Sequence, residues 1–320
     1  MHHLRPEIPV TVQTSIFDIP RVDNNIDAVD FIWDLQRWTA PNVTDRVTGV
    51  ETMQDTFTIN AQLCVPKNLK GSILHIATHG FGFDKTYWDS SIQPEKCSYV
   101  DAALAAGYSI LTYDRLGVGK SSKPDGYKVV QAATQIEILK EITLLARSGS
   151  LLTSSAKNHN NINTPAFEKV VLVGHSLGSG LTIGVLSSYP EILDAVISPG
   201  LIPSGKFGLV GQVSFGLEHA ESNDKRKFRG RGSGYLVQGS ESSIKETGTV
   251  GEFLSLGGIF AQDVSAYGGP ILFALGEYDF AICAGNCTGS YDQKALEKIF
   301  SGASDVSVHI QKGSGSFDDA

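Results

Sequence analysis

A serine flanked by glycines follows an apolar run near the middle of the chain. The pentapeptide Gly174-His175-Ser176-Leu177-Gly178 has G-x-S-x-G spacing, comes directly after residues 170–173 and precedes a second apolar stretch at 181–186. A strand, this pentapeptide and a helix form a nucleophile elbow, whose sharp turn exposes the serine hydroxyl. We therefore predict that Ser176 is a catalytic nucleophile and that the backbone N–H of Leu177 faces an oxyanion.

A serine hydroxyl needs a base to remove its proton, and the base needs a carboxylate to orient it. After an elbow of this kind the acid and then the histidine follow in the chain, each at the end of a strand. Residues 269–275 have the apolar character of a strand, and Glu277 and Asp279 follow directly. Asp279 is the predicted acid because it lies deeper in the turn, and Glu277 is the alternative.

Predicted strands and helices alternate along most of the chain. The strands are expected at 56–65, 72–78, 108–113, 170–173, 195–198, 271–275 and 306–310. The helices are expected at 26–38, 87–106, 129–147 and 291–300, and after the elbow. This alternation requires crossover connections, so it predicts an α/β fold with a mostly parallel, doubly wound sheet and helices on both faces.

Two segments depart from the alternation. Residues 1–55 are mixed and polar and are predicted to be an N-terminal extension to a single domain at 56–320. Residues 201–269 hold 14 of the 34 glycines and follow the strand after the elbow helix. An insertion at that place would lie over Ser176, so we predict a glycine-rich, mobile lid.

Composition limits the function classes. The chain has 320 residues, 41% of them hydrophobic, and a net charge of −8, which argues against nucleic acid as a partner. No apolar run reaches the ~20 residues of a membrane span. We expect no metal, because histidines and cysteines lack ligand spacing, and no organic cofactor, because Gly117-x-Gly119 is too short for a dinucleotide loop. The expected partner is a small hydrophobic ester-like substrate, and the oligomeric state stays open.

Cysteines and sequons bear on localisation. The chain has four cysteines and two N-x-S/T sequons, at Asn42 and Asn286, and its first residues contain no apolar signal-peptide core. Cys283 and Cys287 are close together in a glycine-rich loop, and we predict that they form a disulfide beside Asp279 if the protein is secreted. We expect a secreted protein in its mature form, with a cytoplasmic protein as the alternative.

The motifs together resemble those of α/β-hydrolase-fold serine hydrolases, and more narrowly those of fungal, often secreted, esterase- and lipase-like members. The resemblance covers roughly residues 56–316 and is carried by His79-Gly80-Phe81-Gly82, by Tyr113-Asp114-Arg115-Leu116-Gly117-Val118-Gly119-Lys120-Ser121, by the elbow and by Asp279. It implies that the backbone N–H of Phe81 is the second oxyanion donor, opposite Leu177. It also implies that Asp114 and Arg115 are structural residues that tie loops together near the site.

The resemblance further implies a histidine in a Gly-x-Gly-His turn after the last strand. This chain has Ser316 at that place, after Gly313-Ser314-Gly315, and it ends at Ala320 without the helix that normally follows. Three explanations are open: the protein lacks its base, its C-terminal segment is altered or incomplete, or another histidine substitutes. His309 is the nearest, but it lies inside a predicted strand, ~23 Å of extended chain before Ser316.

Two functions follow from these motifs. The first is a serine hydrolase that cleaves a carboxylic ester or lactone through an acyl-enzyme. The second is a non-hydrolytic member of the same fold, acting as a binding protein or as a biosynthetic cyclase or isomerase. The elbow favours the first function, and the missing histidine favours the second.

Overall fold

The computed structural model describes most of the chain. The described residues are 2–19, 21–36, 47–66, 73–91, 94–152, 166–203, 217–219, 235–238, 246–256, 262–283 and 285–315. Ser316, the residue at the position expected for the histidine, and much of the predicted lid lie outside these ranges.

Strands and helices alternate from residue 73 to residue 199. The strands are β1 (His2–Leu4), β2 (Glu7–Asp18), β3 (Gly49–Val65), β4 (Ile73–Thr78), β5 (Ser109–Tyr113), β6 (Lys169–Gly174), β7 (Ala195–Pro199), β8 (Leu217–His219), β9 (Tyr235–Gln238), β10 (Thr247–Thr249), β11 (Pro270–Gly276) and β12 (Asp305–Gln311). The helices are α1 (Asn25–Gln36), α2 (Pro94–Cys97), α3 (Tyr99–Ala105), α4 (Ala132–Arg147), α5 (Leu177–Ser188), α6 (Val250–Leu256), α7 (Phe280–Cys283) and α8 (Gln293–Ile299). Short 3-10 turns occur at Lys85–Trp88 and Pro190–Ile192.

The central sheet is mostly parallel, as predicted. Its order is β1-β3-β5-β4-β6-β7-β11-β12, and β2 pairs with β3. The neighbouring strands in the part β5-β4-β6-β7-β11-β12 of this order pair in parallel. The pairs that involve β3 are antiparallel. Because β4, β6, β7 and β11 are parallel neighbours, their carboxyl ends meet at one edge of the sheet. Every candidate site residue follows one of those ends.

Helices cover the sheet on both faces. Consecutive residues of a strand face opposite sides. In β6, Leu172 packs in a cluster with Leu139 of α4 and Leu181 of α5, whereas Val173 packs in a cluster with Ala103 of α3. This arrangement confirms the doubly wound α/β prediction.

The N-terminal segment contributes strands to the same sheet. β2 pairs with residues 49–60 of β3, and β1 pairs with residues 63–65. The predicted boundary between residues 55 and 56 therefore falls inside β3. Helix α1 occurs where the amphipathic pattern predicted it, but Ile26 and Val29 are 72% and 60% exposed, while Ala28 is fully buried. Helical spacing identifies a helix, but the neighbouring elements determine which side of it is buried.

The prediction of one helix at 87–106 is wrong. The structure has a 3-10 turn followed by the two short helices α2 and α3. Pro94 begins α2, since proline lacks the N–H that a helix interior requires. Ser98 then begins α3, because its hydroxyl accepts the N–H of Asp101 at 3.0 Å and caps a new first turn.

The described part of residues 201–269 contains regular structure of its own. Strands β8, β9 and β10 form a small antiparallel sheet, and α6 follows β10 directly. Val250 and Leu254 of α6 pack in a cluster with Val22, Ala28 and Tyr127. None of the helices in the described ranges is both long and apolar enough to cross a membrane.

Candidate active site

Ser176 occupies a strained turn between β6 and α5. Its φ is +51° and its ψ is −112°, and it is the one non-glycine residue with positive φ in the described ranges. The N–H of His175 donates to Thr78 O at 2.9 Å, and that of Ser176 donates to Pro199 O at 3.0 Å. These bonds to the ends of β4 and β7 maintain a conformation that costs about 1–3 kcal/mol. Residues with strained backbones of this kind cluster at active sites.

The two glycines of the pentapeptide have no room for a side chain. A Cβ at Gly178 would collide with the carbonyl oxygen of Thr78, and a Cβ at Gly174 would collide with the carbonyl of Gly178. The close approach of α5 to β4 requires glycine at 178, and its close approach to the end of β6 requires glycine at 174. The same approach brings the amino end of α5, including the N–H of Leu177, to the carboxyl edge of the sheet.

The segment after β4 runs beside Ser176. A Cβ built on Gly80 would lie 3.2 Å from the Cβ of Ser176 and 2.7 Å from Nδ1 of His175. The next peptide, between Gly80 and Phe81, is therefore adjacent to the serine. Helix α5 leaves its first N–H groups without intrahelical acceptors. The structure thus brings the Gly80–Phe81 peptide and the first turn of α5, which begins at Leu177, to Ser176.

Asp279 is buried in the loop after β11. Its Oδ1 accepts the N–H of Ile282 at 2.9 Å, whereas its Oδ2 has no hydrogen-bond partner among the described residues. The strands β6 and β11 are separated by β7, so their ends lie ~10 Å apart. A buried carboxylate oxygen without a partner is costly. The Asp279 carboxylate therefore has an acceptor oxygen available for the N–H of a base.

Glu277, the alternative acid, has a different set of contacts. Its Oε2 accepts the N–H of Gly313 at 2.9 Å, and its own N–H donates to Gln311 O at 2.8 Å. The carboxylate is thus engaged with the turn after β12. This geometry favours Asp279 over Glu277 as the acid.

The predicted disulfide between Cys283 and Cys287 is confirmed, with a Cα–Cα distance of 4.9 Å. The N–H groups of Cys283 and Gly285 both donate to the carbonyl oxygen of Asp279 at 3.1 Å. The cross-link therefore closes a loop that is hydrogen-bonded to Asp279. The other two cysteines, Cys64 and Cys97, carry free thiols, and burial raises the pKa of Cys64 to about 11.

The described histidines do not supply an evident base. His79 is fully buried; its Nε2 accepts the N–H of Arg115 at 3.1 Å, and its Nδ1 lies 2.9 Å from Gly80 O. His175 stacks on the ring of Tyr87 with centroids 4.4 Å apart. His309 is an exposed strand residue, as predicted, with Nε2 3.2 Å from the side-chain oxygen of Gln311. Nothing is described of His159 or of the side chain of His219.

Asp114 ties loops together, as the resemblance implies. Its carboxylate accepts three hydrogen bonds. They come from Nζ of Lys85 at 2.8 Å, from the backbone N–H of Lys85 at 3.1 Å and from the backbone N–H of Lys120 at 2.9 Å. Arg115 is fully buried and forms an ion pair with Glu252 of α6, a residue that the sequence analysis missed. In the sequence, Glu252 could have been recognised as the single acidic residue in an otherwise apolar short helix of the insertion.

Comparisons with known proteins agree with this architecture. No curated protein matches the chain in sequence. Among solved structures, the chain is similar to DcsB in complex with a substrate analogue, at 13% identity and a TM-score of 0.50 over 82% of this chain and 88% of that one. It is also similar to Est1E from Butyrivibrio proteoclasticus with bound ferulic acid, at 15% identity and a TM-score of 0.49 over 82% and 88% of the two chains. The chain is also similar to the alpha/beta hydrolase GrgF from Penicillium sp. sh18, at 16% identity and a TM-score of 0.49 over 81% of this chain and 87% of that one. At this identity the likeness to DcsB shows the fold alone.

A sequence profile of the family described as "Alpha/beta hydrolase family" matches residues 74–279. The match begins in β4 and ends at Asp279, so it includes the elbow and the segment after β4. The chain belongs to the alpha/beta hydrolase family.

Proposed function

We propose that the protein is a serine hydrolase that cleaves a carboxylic ester or lactone through an acyl-enzyme. The observation that carries this proposal is the backbone of Ser176, which is strained at the amino end of α5 and at the carboxyl edge of the sheet. The chain belongs to the alpha/beta hydrolase family, and the ester or lactone is the specific part of the proposal.

In the proposed mechanism the Ser176 hydroxyl attacks the substrate carbonyl carbon while a base takes its proton. The carbonyl oxygen becomes an oxyanion, which accepts hydrogen bonds from the N–H groups of Leu177 and Phe81. The leaving alcohol takes a proton as the tetrahedral intermediate collapses, and water then hydrolyses the acyl-serine by the same steps. Asp279 would orient the base and stabilise its cation through Oδ2.

A hydrophobic substrate fits the aromatic residues beside the site. The rings of Phe81 and Phe253 pack edge to face, with centroids 4.4 Å apart, and Phe83 lies 5.1 Å from Tyr87 by the same measure. Phe253 belongs to the inserted segment. The N–H of Glu246 also donates to Gly82 O at 2.7 Å. These contacts support the proposal that the insertion covers the site as a lid.

The second candidate is a non-hydrolytic protein that binds or reshapes a reactive substrate in the same pocket. The observation that favours it is the Asp279 Oδ2 atom, which has no histidine partner among the described residues. Without a base, the serine hydroxyl stays protonated and reacts slowly.

Covalent labelling separates the two candidates. A fluorophosphonate probe reacts fast only with an activated serine, and the modified peptide is identified by mass spectrometry. We expect Ser176 to be labelled, faster in Ser316→His than in the parent, Ser176→Ala to abolish labelling and the control Ser187→Ala, on the same helix, to be labelled like the parent. Folding is checked by thermal unfolding. Fast labelling of a different serine, or equal ester turnover by Ser176→Ala, contradicts the proposal, and slow labelling throughout favours the second candidate.

Secretion is a further part of the proposal. The disulfide beside Asp279 is typical of oxidising compartments, and Asn286 of the second sequon is exposed. Mass spectrometry of the protein from its natural source tests it. A disulfide-bonded protein in the culture medium supports secretion, and a reduced protein in the cytosol contradicts it.

A further inference from the structure

The buried ion pair between Arg115 and Glu252 joins the insertion to the segment after β4. Glu252 lies on α6, and both side chains are almost completely buried. The Glu252 carboxylate also accepts Nε2 of Gln135 at 2.9 Å and the N–H of Thr249 at 3.1 Å. A buried ion pair with these additional hydrogen bonds is held in one geometry.

A second nitrogen of Arg115 donates a hydrogen bond to the carbonyl oxygen of Gly80. Its Nη2 donates to Gly80 O at 3.3 Å, and Nδ1 of His79 lies 2.9 Å from the same oxygen. Burial, together with the charge of Arg115, lowers the pKa of His79 well below its ordinary value, so the ring is neutral. Because Nε2 accepts the Arg115 N–H, the proton of the ring is on Nδ1 and is donated to Gly80 O. Two donors therefore hold this carbonyl oxygen.

The Gly80 carbonyl and the Phe81 N–H belong to one planar trans peptide. In such a unit the C=O and the N–H point in opposite directions. Donors that hold the oxygen on one side therefore set the direction of the N–H on the other side. That N–H belongs to the peptide that passes beside Ser176.

Two successive residues of helix α6 connect it to this peptide. Glu252 reaches the Gly80 carbonyl through Arg115, and the Phe253 ring packs on the Phe81 ring. Gly248, just before α6, faces the same ring so closely that a Cβ there would collide with it. The insertion thus reaches the Gly80–Phe81 segment by way of Arg115 at the carbonyl and by direct contact with the Phe81 ring.

We infer that Glu252 is a positioning residue that, through Arg115, aims the Phe81 N–H at the oxyanion. This inference rests on the proposed function for its effect on catalysis, but the geometry itself can be tested without turnover. It also assigns a role to the insertion, since its helix α6 holds one of the two oxyanion donors in place.

The chain offers a specific probe for this peptide. Its sequence contains two Gly–Phe dipeptides, Gly80–Phe81 and Gly82–Phe83. Labelling glycine with ¹³C at the carbonyl and phenylalanine with ¹⁵N therefore gives two carbonyl–amide NMR signals. The Phe81 signal reports on the peptide in question, and the Phe83 signal, two residues away, reports on general disturbance of the loop.

Three variants are compared with the parent protein. Glu252→Gln removes the charge and keeps the shape. The double variant Arg115→Met with Glu252→Leu removes the whole ion pair and leaves no buried charge. We therefore expect it to fold even if Glu252→Gln, which leaves Arg115 charged, does not. The control, Arg147→Met with Asp194→Leu, removes an ion pair at the opposite edge of the sheet. Thermal unfolding identifies the folded variants.

We expect the Phe81 signal to shift in both Glu252 variants and the Phe83 signal to stay in place, with neither moving in the control. An unmoved Phe81 signal, or equal shifts of both signals, overturns the inference. With an ester substrate, we expect kcat to fall by about 10- to 100-fold with little change in KM, because a displaced oxyanion donor acts mainly in the transition state. If the parent shows no turnover that depends on Ser176, the proposed function fails, and the NMR signals still decide the positioning role.

Discussion

Glu277 accepts the N–H of Gly313 through its carboxylate at 2.9 Å, which joins the loop of Asp279 to the turn after β12. The N–H of Tyr278 also donates to Ser314 O at 2.8 Å. A Cβ on Gly276 would lie 2.5 Å from Gly315 O, so the two segments are in close contact. The described chain therefore reaches residue 315 beside the loop of the predicted acid.

This contact leads to a prediction about Ser316. Ser316→His should raise ester turnover by ~10³-fold or more, because loss of the histidine in a serine protease costs on the order of 10⁶ in kcat. The measurement is ester hydrolysis by the two proteins under identical conditions. Ordinary enzyme rates in the parent would show that another group acts as the base.

The acid is tested within the Ser316→His protein. Adding Asp279→Asn should remove most of the gain, because the amide cannot stabilise the histidine cation and favours the wrong tautomer. Adding Glu277→Gln is the control, since the glutamine oxygen can still accept the N–H of Gly313. Larger losses from Glu277→Gln than from Asp279→Asn would exchange the roles of the two residues.

Gly178 should be intolerant of any side chain. Gly178→Ala is expected to lower the free energy of unfolding by about 1–3 kcal/mol, since the new Cβ would collide with Thr78 O. Gly268→Ala is the matched control, because nothing lies within 4 Å of its Cβ position. Urea unfolding of both variants measures the difference. Equal stabilities would show that α5 does not approach β4 as closely as the structure has it.

The disulfide should stabilise the loop around Asp279. Replacing both Cys283 and Cys287 with serine is expected to lower the free energy of unfolding by about 2 kcal/mol, because the cross-link closes a short loop. The measurement is urea unfolding. Alkylation of the denatured, unreduced parent should modify two of the four cysteines, Cys64 and Cys97. Modification of all four would contradict the cross-link.

His75 should make the protein sensitive to acid. Burial between Tyr99 and Tyr108 lowers its pKa to about 4. Between pH 6.5 and about 4 the unfolded chain binds a proton that the folded protein does not, so the free energy of unfolding falls as the pH falls, by about 3 kcal/mol in total. Unfolding measured at pH 7, 6 and 5 should show a shallower decrease in His75→Phe. An identical decrease in both proteins would contradict the assignment.

The sequence by itself determined the elements that depend on local spacing. The alternation of apolar strands and helices indicated the parallel sheet, and the glycines around Ser176 indicated the turn, because their absence of side chains is a property of the sequence. The close spacing of Cys283 and Cys287 likewise limited their pairing to a local loop. The same reasoning failed for residues 87–106, where Pro94 and Ser98 divide one apolar pattern into two helices.

Only the tertiary structure decided which groups face each other. The contrast between Asp279, with a carboxylate oxygen that has no partner in the described part of the chain, and Glu277, bonded to Gly313, depends on where the turn after β12 packs. The pairing of Arg115 with Glu252 joins residues 137 positions apart. A contact of that separation leaves no periodicity in the sequence, since it is determined by how the strands and the insertion pack and by the cost of burying a charge without a partner.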